Sequence, residues 1–209
     1  MSAEQIVTDI VSASLRFFFL LTPFFVLSMF IVMTGDFTGP VRRRLADKVS
    51  FSALAICLVL LFFGRWIFTI FGITVDAFRI GGGVLLLLSA IKLVNGAAGE
   101  AAKKNTEDPN TDISVVPLAI PVTVGPATTG ALLIIGAEMR SVTALLINAA
   151  SLVIALTMVW AILRGSNLLE RLLKRKGIVI LSKLTGLILA ALASEMIFTG
   201  IRAFLVVKQ

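Results

Sequence analysis

The sequence predicts an all-α membrane protein: six transmembrane helices arranged as two inverted three-helix repeats, with the first and fourth helices broken at mid-membrane. Three observations predict it. The 209 residues are 58% hydrophobic and 15% charged, with a mean hydropathy of +1.02; ordinary globular chains are about 45–50% apolar and about 25% charged. Six apolar stretches, each long enough for a helix to cross a bilayer, run roughly over 6–33, 46–71, 77–97, 113–138, 141–163 and 181–206. Prolines interrupt two of them at matching places.

The first stretch carries Thr22-Pro23 in its interior and ends before Gly35, Gly39, Pro40 and the run Arg42-Arg43-Arg44. A short hinge at Phe71-Gly72-Ile73-Thr74 separates the second and third. The third contains Gly81-Gly82-Gly83. No strand precedes these glycines and no Lys-Ser/Thr follows, so close helix packing is expected rather than a phosphate loop. The polar stretch Gly96 to Asp112, rich in Asn, Asp, Thr and Pro, reads as a linker (98–112) between repeat 1 (about 6–97) and repeat 2 (about 113–207) of one integral membrane domain, 1–209. The fourth apolar stretch is the most disturbed. In a continuous helix Pro117, Pro121 and Pro126 would leave the carbonyls of Ile113, Pro117 and Val122 without partners. Freed carbonyls are costly in hydrocarbon, so this backbone should face protein or a water-filled cavity. Beyond Pro126, the amides of Ala127, Thr128 and Thr129 would open a half-helix whose positive dipole end points at the break.

The basic residues set orientation. Thirteen of the nineteen Lys and Arg lie in the first, third and fifth connections and the adjoining helix ends: Arg42, Arg43, Arg44, Lys48, Lys92, Lys103, Lys104, Arg164, Arg171, Lys174, Arg175, Lys176 and Lys183. The positive-inside rule puts those connections in the cytoplasm and both termini outside it. The net charge of +7 is thereby accounted for by topology, and no nucleic-acid partner is expected. The N-terminus, with Glu4 and Asp9, does not read as a cleavable signal peptide.

A faint repeat accompanies the breaks. A shift of about 103 residues brings Thr22-Pro23 onto Gly125-Pro126, and one of about 104 brings Arg79 onto Lys183, Gly82 onto Gly186 and Gly96 onto Gly200. Units of three spans must insert with opposite orientation, and inverted repeats meeting at broken helices are a transporter architecture.

Other chemistries are poorly supplied. With no histidine and one cysteine, Cys57, the sequence lacks Ser-His and Cys-His pairs, zinc motifs and internal disulfides. Cys57 reads as a packing residue. The lysines that could serve a Ser-Lys scheme, Lys92 and Lys183, sit at span ends. No enzyme, cofactor or metal site is expected, and no ring of charges suggests a channel.

The run PLAIPVTVGP at 117–126 resembles the motif opening the second half of the MarC family, six-span membrane proteins also described as small neutral amino acid transporters. Phe71-Gly72-Ile73, Ala77-Phe78-Arg79-Ile80-Gly81-Gly82-Gly83 and Gly186-Leu187-Ile188-Leu189 ahead of Gly200-Ile201 extend the likeness over nearly the whole chain. It implies two inverted three-helix repeats and, for some members, movement of small neutral amino acids. One departure stands out: where the family has Asp-Pro followed by Gly and Asn, this chain has Thr22-Pro23-Phe24-Phe25.

The function expected is secondary transport, or export, of a small neutral or zwitterionic solute across the cell inner membrane. Thr22, Pro23, Thr123, Gly125, Pro126, Ala127, Thr128 and Thr129 are the candidate substrate-binding residues. The solute carboxylate would meet the amides of Ala127, Thr128 and Thr129, as anions do at helix N-termini. Its ammonium would face Glu195 or the carbonyls of Phe19 and Val122, with Phe24 and Phe25 against its apolar part. Glu195 and Arg16 are the coupling candidates: an acid inside a span faces the bundle interior by default, and Arg16 either pairs with it or snorkels to the interface. Arg79 reads as an anchor at the outer face, and Asn148 with Ser151 as a helix-packing pair. The expected partners are the solute, the lipid bilayer and H+ or Na+ as coupling ion; a homo-oligomer is compatible with the sequence. The alternative is a structural or assembly factor that moves nothing, which requires packed breaks with no hollow beside Gly125 and Glu195.

Overall fold

The computed structural model describes residues 3–35, 37–95, 123–139 and 141–206. The expected linker, Pro117 and Pro121 lie outside the described residues. Every regular element is helical among those described.

The first span is a bent pair. Helix α1 (Ala3–Leu20) and helix α2 (Pro23–Met33) meet at 42°. The cause is local: Pro23 offers no N–H to continue the α1 ladder, and its fixed φ suits the first position of a new helix. Leu21 and Thr22 close α1 by donating to the carbonyls of Phe17 and Phe19, and Val26 opens α2 by donating to Thr22, each at 3.0 Å. Thr22 makes the turn with φ 49° and ψ 55°. That is the left-handed region, which costs an L-residue roughly 1–2 kcal/mol and is uncommon for a β-branched side chain.

Helix α3 (Gly39–Phe71) begins with Pro40 in its first turn and ends at Gly72, whose φ of 62° is open to glycine without penalty. Its 33 residues extend about 50 Å, more than a hydrocarbon core, so the Arg42–Lys48 end projects beyond it. Helix α4 (Val75–Asn95) follows, the Ala77 amide donating to the Thr74 hydroxyl at 3.2 Å. Helix α5 (Pro126–Glu138) has only 13 residues and, like α2, starts on a proline. Helix α6 (Val142–Arg164) is capped by Ser141, which accepts from the Ala144 amide at 3.1 Å. Helix α7 (Ser166–Val206) is interrupted at Lys174 (φ 52°, ψ 168°), and its membrane-crossing part is Lys176–Leu205.

Four helices are long and apolar enough to cross a membrane, and the α1–α2 pair makes a fifth span as one broken unit. Of the expected fourth span, 113–138, the described residues hold one helix, the 13-residue α5; residues 113–122 lie outside the described residues. The result is an all-α membrane protein whose first span is broken at the expected place.

Helices α4 and α7 pack along each other most extensively, α3 lies between α5 and α6, α1 lies on α6, and α2 on α7. The shared core includes Leu27, Phe30, Ala53, Cys57, Leu61, Leu86, Leu132 and Leu152, all out of contact with solvent. Phe51, Ile70, Leu146 and Phe198 instead point outward; such apolar surface suits lipid. At the α3–α5 crossing Gly64 lies against the Leu133 carbonyl and Gly136 against the Leu61 carbonyl. Within the glycine run, Gly83 is the one in close contact, against the Ala193 carbonyl, while a Cβ at Gly81 would meet nothing within 4 Å.

Candidate functional site

The seam between the two breaks is packed. The Thr128 hydroxyl donates to the Leu20 carbonyl at 3.1 Å, bridging the end of α1 and the first turn of α5. Threonine hydroxyls within helices commonly return to their own i−4 carbonyl; Thr128 instead takes the Leu20 carbonyl, freed by the break in α1. Thr123, Ala127 and Thr128 are buried, Pro23 is buried, and Thr22, Gly125 and Thr129 are half-buried. Pro126 supplies the first residue of α5. The Thr129 amide donates to the Gly125 carbonyl at 2.9 Å, so it is spent within the helix. That corrects the expected trio of anion-binding amides: the helix retains Thr129, and only Ala127 and Thr128 lie in the turn whose amides lack intrahelical acceptors.

The hollow lies beside the seam. A cavity of about 220 Å³ sits among α1, α4, α5 and α7, with Leu20, Leu86 and Ala131 towards the break and Arg16, Arg79, Glu138 and Glu195 around it. Four charged side chains from four different helices thus converge on one small space. Two of them are satisfied: Arg79 donates to Asp76 at 2.8 Å and pairs with Glu138. Arg16 and Glu195 face the same cavity without pairing with each other or with any other described residue. Of the two sequence-based alternatives for Arg16, an ion pair with Glu195 is absent. Arg79 is more than a topology anchor, because its pairing joins α4 to α5.

A second hollow, about 450 Å³, lies on the other side of Arg16, Ile135 and Glu138, bounded by α1, α5 and α6 and reaching Ser141 and Asn148. Arg16 and Glu138 stand in the partition between the two. The single Ser151 hydroxyl proton is shared between the Ile147 carbonyl of its own helix at 2.7 Å and the Ile10 carbonyl of α1 at 3.2 Å, so Ser151 touches both helices; Asn148 donates to Ala144 of its own helix.

The opposite end of the bundle is tied shut. Arg42, only 8% exposed, donates from Nε to Thr34 Oγ1 at 2.7 Å, from Nη1 to Asn167 Oδ1 and from Nη2 to Glu170 Oε2 at 3.3 Å. It joins the end of α2, the start of α3 and the start of α7. The sequence marked Arg42 only as one of three arginines in a basic connection. Thr34 is eight residues away across a turn, and Asn167 and Glu170 lie more than a hundred residues away, so no helical spacing distinguishes Arg42 from Arg43 and Arg44.

Among the described residues no cluster of His, Cys, Asp and Glu could hold a metal ion.

A family model described as "MarC family integral membrane protein" matches residues 7–205. The UPF0056 membrane protein MJ1677 of Methanocaldococcus jannaschii is 34% identical over 194 residues, covering 90% of this chain and 93% of its own. The UPF0056 membrane protein YhcE of Escherichia coli is 32% identical over 189 residues, 88% of each chain, and the UPF0056 membrane protein PH0760 of Pyrococcus horikoshii is 31% identical over 186 residues. No solved structure gives a significant match.

Proposed function

From the premise that the chain belongs to the MarC family of integral membrane proteins, we propose that it is a secondary transporter of a small neutral or zwitterionic solute. The observation that carries this reading is that two opposite charges without ion-pair partners among the described residues, Arg16 and Glu195, each on an exposed position of its apolar helix, line one open cavity of about 220 Å³. Ionised groups inside a membrane span are expensive and are retained for a function. A zwitterion placed between them neutralises both, its carboxylate on Arg16 and its ammonium on Glu195. Arg79 and Glu138 hold the cavity wall, while among the described residues none of the expected substrate-binding ones, from Thr22 to Thr129, lines it.

Three features support alternating access in particular. The hollows at Arg16, Glu138 and Glu195 lie at one end, while at the other Arg42 ties α2, α3 and α7 together beside a hollow of about 320 Å³ at Gly35 and Glu170. Thr22 holds a left-handed conformation at the break, and strain of this kind gathers at switch regions. An inverted repeat would account for the way α5 lies on α4 as α2 lies on α7. A Cβ on Gly83 would be 3.0 Å from the Ala193 carbonyl, and one on Gly186 would be 3.0 Å from the Ala90 carbonyl. Shifting by 103 exchanges these two contacts, so the register that fits makes Gly83, not Gly82, the counterpart of Gly186. With the excess of basic residues at the start of α3 and in the first part of α7, this reading places the protein in the inner membrane with both termini outside the cytoplasm.

The test is a counterflow panel of amino acids and related solutes in proteoliposomes, run on the wild type and on Arg16→Gln and Glu195→Gln. Arg16→Gln should raise the KM for a zwitterion. Glu195→Gln should abolish proton-coupled accumulation yet leave solute exchange. Unchanged coupled transport in both variants removes the charge pair from the mechanism. The packed seam favours the second reading, a membrane structural factor, and absence of counterflow for every solute would select it.

A further inference from the structure

The two pieces of chain that Arg42 clasps have a feature in common. One is α2 with its closing residue Thr34; the other is the start of α7, residues 166–173, which carries Asn167 and Glu170. Each joins the rest of its span through a backbone that only glycine adopts freely: Thr22 (φ 49°) ahead of α2, and Lys174 (φ 52°) behind residues 166–173. Among the described residues these are the two non-glycine positions with a left-handed φ. Strain of this kind persists only where surrounding contacts hold it, and it gathers at switch regions. Hinges, too, are element-terminal residues that absorb changes of φ and ψ.

A hollow of about 320 Å³ lies where the two pieces meet, lined by Ser28, Ile31, Val32 and Gly35 on the α2 side, by Glu170, and by Ile178 of the α7 span. Ile178 and Glu195 stand seventeen residues apart on α7, about 25 Å along the helix. Leu189 and Ala193, between them, are buried in the core. Helix α7 therefore lines a hollow at each end of the bundle, with packed core in between, and α2 packs on the same helix.

We propose that Arg42 is the latch of an inner gate, a reading that rests on the transport function proposed above. While Arg42 holds Thr34, Asn167 and Glu170 together, the gate is shut. On release, α2 swings about Thr22 and residues 166–173 swing about Lys174, and the hollow between them opens to the cytoplasm. Arg42 suits this role and its neighbours do not: it is 8% exposed, whereas Arg43 and Arg44 are exposed, and its planar fork serves several acceptors at once. Release is also tolerable for the acceptors. Glu170 is 45% exposed, so water can replace its bond, and the Thr34 hydroxyl has its own bond to the Phe30 carbonyl at 2.6 Å.

The test is thiol accessibility of the full chain, carrying Cys57→Ala, in membrane vesicles of either orientation. Ser28→Cys reports the inner hollow and Ala144→Cys the outer one, each labelled by a membrane-impermeant methanethiosulfonate from its own side. Arg42→Gln should raise the inner labelling rate about tenfold, as expected for losing hydrogen bonds to a charged group, and lower the outer rate, because the two ends open in alternation. Asn167→Ala, at an exposed position, removes one acceptor without disturbing the buried arginine and should act in the same direction, more weakly. An unchanged inner rate in both folded variants, or a rise at both ends together, which is loosening instead of gating, would overturn the proposal. Labelling needs no solute, so the two readings fail separately. Unchanged labelling beside intact counterflow removes the gate alone, and reciprocal labelling without counterflow of any solute removes the transport reading alone.

Discussion

The α3–α5 crossing gives a stability prediction whose size and coupling follow from geometry. A Cβ on Gly136 would come closer than 3.0 Å to the Leu61 carbonyl oxygen, and a Cβ on Gly64 equally close to that of Leu133. In both cases the obstacle is backbone, so no flexible side chain can yield and the two helices must move apart. Overpacking of this kind costs typically about 1–3 kcal/mol, so Gly136→Ala and Gly64→Ala should each destabilise by about 2 kcal/mol. Both variants push on the same pair of helices. Once one has separated them, the other Cβ has room, and the double variant should cost only about 2–3 kcal/mol instead of the additive figure of about 4 kcal/mol. Gly72→Ala supplies the contrast. Its Cβ would meet nothing within 4 Å but would sit at φ 62°, so it should cost roughly 1 kcal/mol from backbone alone and add independently to either of the others. The assay is built into the chain: Cys57 is the single cysteine and has no exposure. Maleimide labelling of Cys57 across an SDS titration in mixed micelles therefore reports opening of the core around α3. Additive costs for Gly64→Ala with Gly136→Ala, or a neutral Gly136→Ala, would refute the close crossing.

Three further outcomes can be checked with the same titration. Arg42→Ala leaves Thr34, Asn167 and Glu170 without their shared donor; because Glu170 is 45% exposed, it should destabilise by about 1.5–3 kcal/mol, the range for hydrogen bonds made by a charged group, and a loss below about 0.5 kcal/mol would show that the tie is loose. Thr22→Gly should be more stable than Thr22→Ala by about 1 kcal/mol, because only glycine occupies the left-handed region freely; equal stability would mean that the break has another backbone form. Thr128→Val removes the hydroxyl bonded to Leu20 at nearly constant volume and should cost about 1 kcal/mol, with Thr129→Val smaller; the reverse order would dissociate the seam from Thr128.

Much of the architecture is written locally. Hydropathy alone marks the crossing segments, since nothing but a bilayer accommodates helices whose outward faces are Phe51, Ile70 and Phe198. Pro23 and Pro126 start new helices because the absence of an N–H and a fixed φ act within one turn, whatever surrounds them. The expected span at 46–71 was short at its beginning: α3 starts at Gly39, because arginines are good helix formers and only the hydrocarbon, not the helix, ends near residue 46.

What the linear chain determined on its own is thus its class, its crossing segments and the break at Thr22-Pro23, all set by interactions spanning four residues or fewer. Only the tertiary structure decided which charges share a space. Arg79 could have anchored a loop, yet it pairs with Glu138, and that pairing leaves Arg16 and Glu195 unmatched across one cavity. Arg42 differs from Arg43 and Arg44 only through Thr34, Asn167 and Glu170. Each of these depends on the rotation and depth of one helix against another. Rotation and depth are set by packing, as where Gly64 and Gly136 let α3 and α5 touch, and no periodicity along a single helix encodes them.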